Sequence, residues 1–564
     1  MYQKSIAFAS SQLPADLLVS ATDLYTEEKG YGFVIEKNRR EQELLQLPEL
    51  NSAFLVWYWD NGKDLSTLVD TAKGVAITAS ESCTYHKGLP LSFKLKTPYP
   101  GSYQVSLTIS CEDTDCDNLM IFTGRRHLAA RDIFIKAGQS YQASFTVHIC
   151  DFIPRGKEQV YEDTTLDLTI LGEHISLSGL SVKEIDVPVI YIAGDSTVTD
   201  QSGCYPYDPG CCYSGWGQML SAYAKSGVAI SNHAHSGLTT ESFRSEGHYD
   251  IVKRFIKKGD YYLIQFAHND QKCSELDAAG GYRTRLITYI EEVRACGAFP
   301  IIITPLARNT WKGDGSYNDL LLDYAAECIR IGEQYQVPVI DLHEYSMNFV
   351  KQEGLDQAKR YFYPKDYTHT NDYGAYLMAG YIASRLSQIE GLNAFFDSAT
   401  KPSWNPPKTI SLPLPPKGYE AEHSSTLPSI DKLERPDDVI TRVEFLNDLV
   451  KTVGYVPVNV YNDMYPDVAG HEWYAGVVEV SYQNSLVDPK YTADGCFHPL
   501  EPVAWEQLVS FCINGYKSRK AAALKEDSVP LAEQLGIIKD SYLPENAVTR
   551  KEALYALLAL EKAL

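Results

Sequence analysis

The chain has 564 residues, which is too long for one hydrophobic core, so we expect roughly three or four domains. Hydrophobic residues make up 44% and charged residues 22%, a composition typical of water-soluble globular proteins, and no apolar run has the length that spans a bilayer. The formal net charge of −22 excludes a protein built for general binding to nucleic acid, because that function needs a basic face.

Residues 1–186 are rich in segments that alternate apolar and polar residues, the pattern of strands with one face on a core. The clearest case is LSFKLKTPYPGSYQVSLTIS at 91–110, where two such segments flank a Pro-Gly turn and predict a β-hairpin. The segments QASFTVHI, TTLDLTIL and HISLSGLSVKEI continue the pattern. We predict an N-terminal accessory domain that is a β-sandwich of jelly-roll type.

Residues 187–398 change to short apolar runs that alternate with amphipathic helical segments. The five runs are VPVIYIA, VAISN, YYLIQF, FPIIITP and VPVIDL. Repeated strand–helix units predict a parallel sheet covered by helices on both faces, a flavodoxin-like three-layer α/β/α domain. In such sheets the functional site lies at the carboxyl ends of the strands, so the residues directly after each run are the candidates.

Residues 399–437 are rich in proline and predict an extended linker. Residues 438–564 have helical periodicity and a weak internal repeat, seen in ITRVEFLNDLV, PVAWEQLVSFC and VTRKEALYALL. Thr441 and Thr549 are each followed three residues later by Glu, which is the spacing of a capping box at a helix start. We therefore predict a small C-terminal α-helical domain.

Polar residues that suit acyl transfer follow the predicted strands of the middle domain. Ser196 lies after the first strand in IAGDSTVTDQ, Gly237 after the second in SNHAHSGLTT, and Asn269 after the third in QFAHNDQK. Asp366 and His369 lie in KDYTHTNDYGA, before the last helix of the domain. Acyl transfer needs a nucleophile, a base and a group that orients the base, and Ser196, His369 and Asp366 supply these three. The backbone amides of Ser196 and Gly237 and the side-chain amide of Asn269 are the candidate oxyanion donors.

Each of these residues has an ordinary structural role when it is taken alone. A serine after a strand commonly caps a helix, and a glycine in a loop commonly relaxes the backbone. The four motifs nevertheless occur together, in the order nucleophile, Gly, Asn, Asp-His, at places that one sheet edge brings together. The joint pattern favours one catalytic site.

These motifs resemble those of the SGNH (GDSL-like) hydrolases, and more closely those of the rhamnogalacturonan acetylesterases of carbohydrate esterase family 12. The matching stretches are AGDSTVTDQ, SGWGQML, SNHAHSGLTTESFRSEG, GDYYLIQFAHNDQK, PIIITPLARN and DYTHTNDYGA. The resemblance covers about residues 20–390. It implies a serine esterase that removes acetyl groups from a plant cell-wall polysaccharide, with the triad and oxyanion hole on the residues named above and with no metal or organic cofactor.

The chain departs from that family's pattern at three places. Ala267 stands where the family has a glycine, Leu238 and Thr239 follow Gly237 where the family has Arg-Ser, and Ala307 stands in place of one of two paired arginines. No catalytic group is lost. The substrate therefore stays open between pectin and another acetylated polymer such as xylan, while a lipid ester would require an apolar lid that the motifs lack.

An acidic polysaccharide would have to approach a strongly acidic protein, so we expect a local basic rim at its binding site. Lys272 and Arg308 follow strand ends and are the predicted substrate-binding residues. Lys312 and Lys365 are further candidates for the same rim.

The C-terminal repeats resemble degenerate S-layer homology repeats through TRVE at 441–444 and TRKE at 549–552, with a divergent middle copy. That resemblance implies contact with a cell-wall polymer, and the alternative is a helical domain that packs against the enzyme. For the whole chain, a non-catalytic carbohydrate-binding or wall-anchoring protein is the remaining alternative. The segment MYQKSIAFASSQLPADLL lacks a continuous apolar core, which predicts a cytoplasmic protein; a removed signal together with functional repeats would place it at the cell surface.

The 12 cysteines include no CxxC pair and predict reduced thiols rather than a zinc site or a disulfide framework. The cluster of Cys204, Cys211 and Cys212 leaves a disulfide or a metal site as the alternative to loop thiols, although it lacks the usual spacing of metal ligands.

Overall fold

The structure is a computed structural model that describes most of the chain. The described ranges are 2–9, 11, 13–41, 64–81, 88–154, 157–203, 207–312, 315–364, 366–396, 403–408, 427–430, 433, 435–455, 460–461, 465–469, 472–520, 528–538 and 543–564. Much of the predicted linker, together with Cys204 and Lys365, lies outside these residues.

The N-terminal region consists of two sheets with one short helix, α1 (Glu36–Glu41). The strands are β1 (Gln3–Phe8), β2 (Leu17–Val19), β3 (Tyr31–Val34), β4 (Ser66–Asp70), β5 (Val75–Ala79), β6 (Pro90–Lys96), β7 (Gly101–Cys111), β8 (Cys116–Thr123), β9 (His127–Ile135), β10 (Ser140–Ile149), β11 (Thr165–Leu171) and β12 (Ile175–Ile185). One sheet has the order β10-β7-β12-β1-β2, with β5 also pairing with β12 and β4; the other has the order β3-β6-β11-β8-β9. Apolar side chains from both sheets share one core, where the ring centroids of Phe8 and Phe93 lie 5.1 Å apart.

The β-hairpin predicted at 91–110 is wrong. β6 and β7 are strands, but β6 pairs with β3 and β11 while β7 pairs with β10 and β12 in the other sheet. The chain crosses between the sheets over Thr97–Pro100, where Pro98 and Pro100 lack the N–H groups that a hairpin ladder uses. Two strands that alternate apolar and polar residues can face the core either as a hairpin within one sheet or as strands of two facing sheets. The alternation therefore does not show which strands pair.

The middle domain contains the predicted parallel sheet, which confirms the α/β fold class. Its strands are β13 (Val189–Gly194), β14 (Ala229–Asn232), β15 (Tyr261–Gln265), β16 (Phe299–Ile303) and β18 (Val339–Ile340), in the order β14-β13-β15-β16-β18, while β17 (Trp311–Lys312) lies outside this sheet. The helices are α2 (Trp216–Met219), α3 (Ser242–Ser245), α4 (His248–Phe255), α5 (Arg283–Ala295), α6 (Leu322–Tyr335), α7 (Leu342–Ala358, kinked at Gly354) and α8 (Asp372–Leu386). Alternate residues of β13 enter different cores, Ile190 and Ile192 on one face and Tyr191 on the other, because both faces are covered.

The turn between β8 and β9 anchors the N-terminal sheets to the middle domain through Arg126. Its guanidinium is fully buried, and Nη1 donates to both carboxylate oxygens of Asp372, at 2.8 and 2.7 Å. Nε donates to the carbonyl oxygen of Gln201 at 2.9 Å, and Nη2 donates to that of Tyr213 at 2.6 Å. Asp372 is the first residue of α8, so the N-terminal domain fixes the start of this helix.

The flanking residues of the turn reinforce the anchor. Arg125 Nε lies 2.9 Å from an Asp200 carboxylate oxygen, and His127 Nε2 lies 2.9 Å from the same oxygen. The neighbouring cations lower the pKa of the Asp200 carboxyl to about 2, although burial acts in the opposite direction. Three consecutive residues of one turn therefore bind two acidic side chains of the neighbouring domain.

The C-terminal region is helical, and both predicted capping boxes are present. Its helices are α9 (Arg442–Thr452), α10 (Ala475–Gln483), α11 (Trp505–Lys520), α12 (Ser528–Gln534) and α13 (Arg550–Ala563), with a short strand β19 (Val460–Tyr461). The backbone N–H groups of Thr441 and Thr549 each donate to the Glu side chain three residues later at 2.9 Å, and each Thr side chain accepts from that Glu's N–H.

The three sequence repeats form a closed ring of backbone hydrogen bonds. The amide of Ile440 donates to the carbonyl oxygen of Val548 at 3.0 Å, Val548 donates to Val503 at 2.9 Å, and Val503 donates to Ile440 at 3.0 Å. Each of these residues lies two positions before a repeat helix. The weak sequence repeat therefore corresponds to a structural repeat about an approximate threefold axis.

The C-terminal region contacts two loops of the middle domain. β19 pairs in parallel with β17, which follows β16, with Val460 opposite Trp311. Arg435 forms an ion pair with Glu275, which lies in the segment after β15. These are the loops that carry the predicted substrate-binding residues, so the contact bears on the site described below.

Two sequence expectations concern membranes and thiols. Among the described helices, none has both the length and the apolar character to cross a bilayer. The buried cysteines of the described ranges include Cys111, Cys150, Cys328 and Cys512, which are thiols. Burial raises the pKa of Cys150 and of Cys328 to about 12, so both are protonated at neutral pH.

Replacing Arg126 by Met is expected to lower the free energy of unfolding by about 3–5 kcal/mol, because the Asp372 carboxylate stays buried without its partner. Arg126→Lys should recover little, since an ammonium cannot reproduce the guanidinium fork. Urea unfolding of the full chain measures both. The control is Arg285→Met, which removes a partly exposed ion pair with Glu241 and should cost less than about 1 kcal/mol. An equally small loss for Arg126→Met would contradict the anchoring role.

Candidate active site

The structure brings Ser196, His369 and Asp366 together in a line. Ser196 Oγ lies 2.7 Å from His369 Nε2, and His369 Nδ1 lies 2.7 Å from Asp366 Oδ2. Ser196 stands in the turn after β13, and the other two residues lie in the loop before α8. A nucleophile, a base and a carboxylate that orients the base therefore meet at the carboxyl edge of the sheet.

Asp366 is held as an anion by its surroundings. The backbone N–H groups of Thr368 and His369 donate to Oδ1 at 2.8 and 3.0 Å, and the Tyr213 hydroxyl donates to Oδ2 at 3.1 Å. Burial opposes ionisation, but His369 and these hydrogen bonds outweigh it and hold the pKa of the carboxyl well below its ordinary value. The carboxylate is thus available to orient a protonated Nδ1 of the imidazole.

The turn that presents Ser196 is fixed by the residue before it. Asp195 is fully buried, and its Oδ1 accepts from the backbone N–H of Thr197 at 2.9 Å and from the Thr197 hydroxyl at 2.8 Å. Its Oδ2 lies 3.2 Å from His268 Nδ1, whose other ring nitrogen lies 2.9 Å from the carbonyl oxygen of Leu306. Asp195 and His268 therefore connect the loops that follow three neighbouring strands.

The three predicted oxyanion donors lie after the three adjacent strands β14, β13 and β15. Within the described part of the chain, the amides of Ser196 and Gly237 donate no hydrogen bond. Gly237 has φ of 86°, a conformation that glycine adopts without strain. Asn269 Nδ2 donates one hydrogen bond to the carbonyl oxygen of Leu238 at 3.0 Å, which leaves its second N–H for a ligand.

Asp270 joins the Asn269 loop to the Gly237 loop a second time. Its Oδ1 accepts from the backbone N–H of Thr240 at 2.8 Å and from the Thr240 hydroxyl at 2.6 Å, whereas its buried Oδ2 has no partner among the described residues. Burial raises the pKa of the Asp270 carboxyl to about 7, against the opposing effect of the Thr240 hydrogen bonds.

Both predicted substrate-binding residues lie beside the catalytic loops. Lys272 Nζ donates to Asn269 Oδ1 at 3.1 Å and thereby orients the Asn269 amide. Arg308 Nη2 lies 3.3 Å from the carbonyl oxygen of His268. Of the other two candidates, Lys312 lies in β17 and Lys365 is outside the described residues.

Ala267, which stands where the family has a glycine, lies at a strained position of the backbone. It has φ of 141° and is fully buried before His268. This backbone conformation favours glycine and is strained for any residue with a Cβ. Glycine is thus the natural residue here, and the chain tolerates alanine because the surrounding loop is fixed by the His268 and Asn269 hydrogen bonds.

Sequence reasoning did not assign roles to Asp195, His268 and Tyr213. The first two directly precede assigned site residues at strand ends, and that adjacency is a signal that could have found them. Tyr213 has no assigned site residue beside it in the sequence, because it lies in a distant loop. Its hydroxyl reaches Asp366, and its ring stacks on that of Tyr363 with centroids 3.5 Å apart. In the ranges that the structure describes, no group of three or more His, Cys, Asp or Glu side chains is arranged to hold a metal ion.

Comparison with known proteins places this geometry in context. The family model for the GDSL-like lipase/acylhydrolase family matches residues 192–377. The chain is 31% identical over 213 residues to the rhamnogalacturonan acetylesterase RhgT of Bacillus subtilis, an alignment that covers 36% of this chain and 90% of that protein. It is 25% identical over 402 residues to the uncharacterized esterase YxiM of Bacillus subtilis, covering 69% of this chain and 91% of that protein. The crystal structure of YxiM matches 69% of this chain and 98% of its own at 22% identity, with a TM-score of 0.35.

Asp270 predicts a pH dependence of stability. Because its folded pKa is raised above the unfolded value of about 3.9, the stability it contributes is full below about pH 4 and is lost as the pH rises to about 7. Between about pH 5 and pH 7.5 the free energy of unfolding should therefore fall by about 2–3 kcal/mol more in the wild type than in Asp270→Asn. Urea titrations at both pH values measure the difference. Asp250→Asn, at an exposed position, should behave as the wild type. Parallel pH profiles for Asp270→Asn and the wild type would refute the assignment.

Proposed function

This chain belongs to the GDSL-like lipase/acylhydrolase family and is a carboxylic ester hydrolase, and from that premise we propose that it removes acetyl groups from a plant cell-wall polysaccharide, with rhamnogalacturonan as its substrate. The observation that carries the proposal is the line Ser196–His369–Asp366, with 2.7 Å at each contact, beside unpaired amide donors. As an ester hydrolase it is not the non-catalytic wall-binding protein that stood as an alternative.

The proposed reaction begins with Ser196. Its Oγ attacks the acetyl carbonyl carbon while its proton passes to His369 Nε2. Asp366 holds Nδ1–H and stabilises the imidazolium that forms. As the tetrahedral intermediate collapses, the sugar oxygen leaves and takes the proton from Nε2. A water molecule then attacks the acetyl-serine with His369 as base, which releases acetate and restores the Ser196 hydroxyl.

The negative charge on the carbonyl oxygen requires donors that are fixed before the reaction. We assign this role to the amides of Ser196 and Gly237 and to Asn269 Nδ2. The Asn269 side chain is held at both ends, by Leu238 and by Lys272, so it would need no reorientation when the charge develops. Such preorganisation is the property that lowers the barrier in acyl transfer.

A cleft lies along two of the loops that carry proposed site residues. It runs between the N-terminal sheets and the loops after β13 and β14, and it begins three residues beyond Ser196 and one residue before Gly237. Its walls include Arg125, Phe152, Asp200, Gln201, His235 and Ser236. The lining combines polar and apolar side chains, and its polar groups already pair with one another, Arg125 with Asp200 and Gln201 with Ser236, so the choice of a sugar polymer rests on the similarity to the acetylesterases.

Ser196→Ala should abolish ester hydrolysis in a protein that keeps its wild-type circular dichroism and melting temperature, because only the nucleophilic oxygen is removed. Asp366→Asn should lower kcat by roughly 10⁴-fold, since the imidazole loses its orienting carboxylate. Acetate release from acetylated rhamnogalacturonan and from acetylated xylan measures the activity and identifies the substrate. Ser221→Ala, at a half-exposed serine of the same domain, is the control. Near-normal turnover by Ser196→Ala, or fluorophosphonate labelling at another serine, would rule out the mechanism.

Asn269→Ala should lower kcat by roughly 10²–10³ with little change in KM, because the lost donor acts on the developing oxyanion. Steady-state kinetics on 4-nitrophenyl acetate separate the two constants, and Asn393→Ala, at an exposed position, serves as the control. An unchanged kcat with a raised KM would instead make Asn269 a substrate-binding residue.

A further inference from the structure

Three cationic side chains interact beside the loops of the candidate site, and Asp448 is the acid that interacts with two of them, Lys272 and Lys451. Lys272 and Arg308 belong to the middle domain, whereas Lys451 belongs to α9 of the C-terminal domain. In the part of the chain that the structure describes, none of the three forms an ion pair, and Arg308 Nε is buried without an acceptor. One acid among three cations leaves a local excess of positive charge, which is opposite in sign to the net charge of −22.

The contacts between the domains account for the position of Lys451. The β17–β19 pairing ties the C-terminal domain to the loop that follows Arg308, and the Arg435–Glu275 ion pair ties it to the segment that follows Lys272. The two contacts therefore lie on the two loops that carry these cations. α9 belongs to the same domain, and Lys451 on it is half-buried.

The charges of the two domains interact directly. Burial, and then repulsion from Lys451 and Arg308, lowers the pKa of Lys272 well below its ordinary value. Burial and repulsion from Arg308 also lower the pKa of Lys451, and the acid that opposes this is Asp448, one turn earlier on α9. An anion placed among the three cations would offset their repulsion and accept a hydrogen bond from Arg308 Nε, which has no acceptor among the described residues.

We propose that α9 forms one wall of the active site, and that Lys451 acts with Lys272 and Arg308 to bind the carboxylate of a uronate residue in the polysaccharide chain. The inference rests on the proposed function for the choice of a uronate. Arg308 supplies a guanidinium donor, and Lys272 retains two ammonium protons beyond the one directed at Asn269. The C-terminal domain is thereby a specificity element of the esterase.

The experiment uses the full-length chain and trigalacturonate, which carries carboxylates but no ester, as a competitive inhibitor of 4-nitrophenyl acetate hydrolysis. Lys451→Gln should raise the inhibition constant about fivefold, the effect of losing one solvent-accessible charge contact. The variant should keep the circular dichroism spectrum and the melting temperature of the wild type, which shows that it is folded. Asp448→Asn removes the acid nearest to Lys451 and should lower the inhibition constant. Lys562→Gln, exposed on α13, should change neither the inhibition constant nor the melting temperature.

Xylotriose, which is neutral, provides the comparison of charge. The inhibition constant of xylotriose should be the same in the wild type and in Lys451→Gln. Equal inhibition constants for trigalacturonate in these two proteins, or an equal loss for xylotriose, would overturn the inference. Acetate release from rhamnogalacturonan tests the proposed function separately: a wild type that binds trigalacturonate through Lys451 but releases no acetate would refute the substrate while the anion site stands.

Discussion

The arrangement of the active site depends on one buried contact between domains, the ion pair of Arg126 with Asp372. The guanidinium also binds the carbonyl oxygen of Tyr213, and the hydroxyl of the same tyrosine donates to Asp366. One side chain from the N-terminal sheets thus holds both the start of α8 and a residue that contacts the catalytic carboxylate. Separation of the two domains would leave a buried charge without its partner, which is strongly destabilising. The ion pair therefore holds the two domains together around the site.

A second constraint lies within the middle domain. There, hydrogen bonds from side chains to the backbone connect the loops that follow adjacent strands. Asn269 and Asp270 bind the loop that contains Gly237, and His268 connects the Ser196 turn to the loop after β16. The groups proposed to act on one carbonyl are therefore fixed relative to one another without a bound substrate. The same hydrogen bonds hold the backbone of Ala267 in its unfavourable conformation.

The sequence predicted the middle domain and its candidate residues because both follow from local patterns. Apolar runs separated by helical segments determine a parallel sheet, and topology then gathers the residues after each run, so Ser196 and His369 meet although they are 173 positions apart. The structural features that escaped prediction depend on docking. The partner of β7 is chosen by the assembly of two sheets, and the pairing of Arg126 with Asp372, 246 positions away, follows no periodic pattern. The approach of Lys451 to Arg308 likewise depends on how two finished domains fit.

The ring of hydrogen bonds in the C-terminal domain has a consequence for the integrity of the whole chain. Ile440, just before α9, is held by Val548, which leads into the last helix. The helix that carries Lys451 is thus held at its start by a residue about 100 positions later in the sequence, in the third of the three repeats. Loss of the third repeat would open the ring and remove the hydrogen bond that holds Ile440 just before α9. The ring therefore makes the helix proposed to line the active site depend on a repeat that is distant in the sequence.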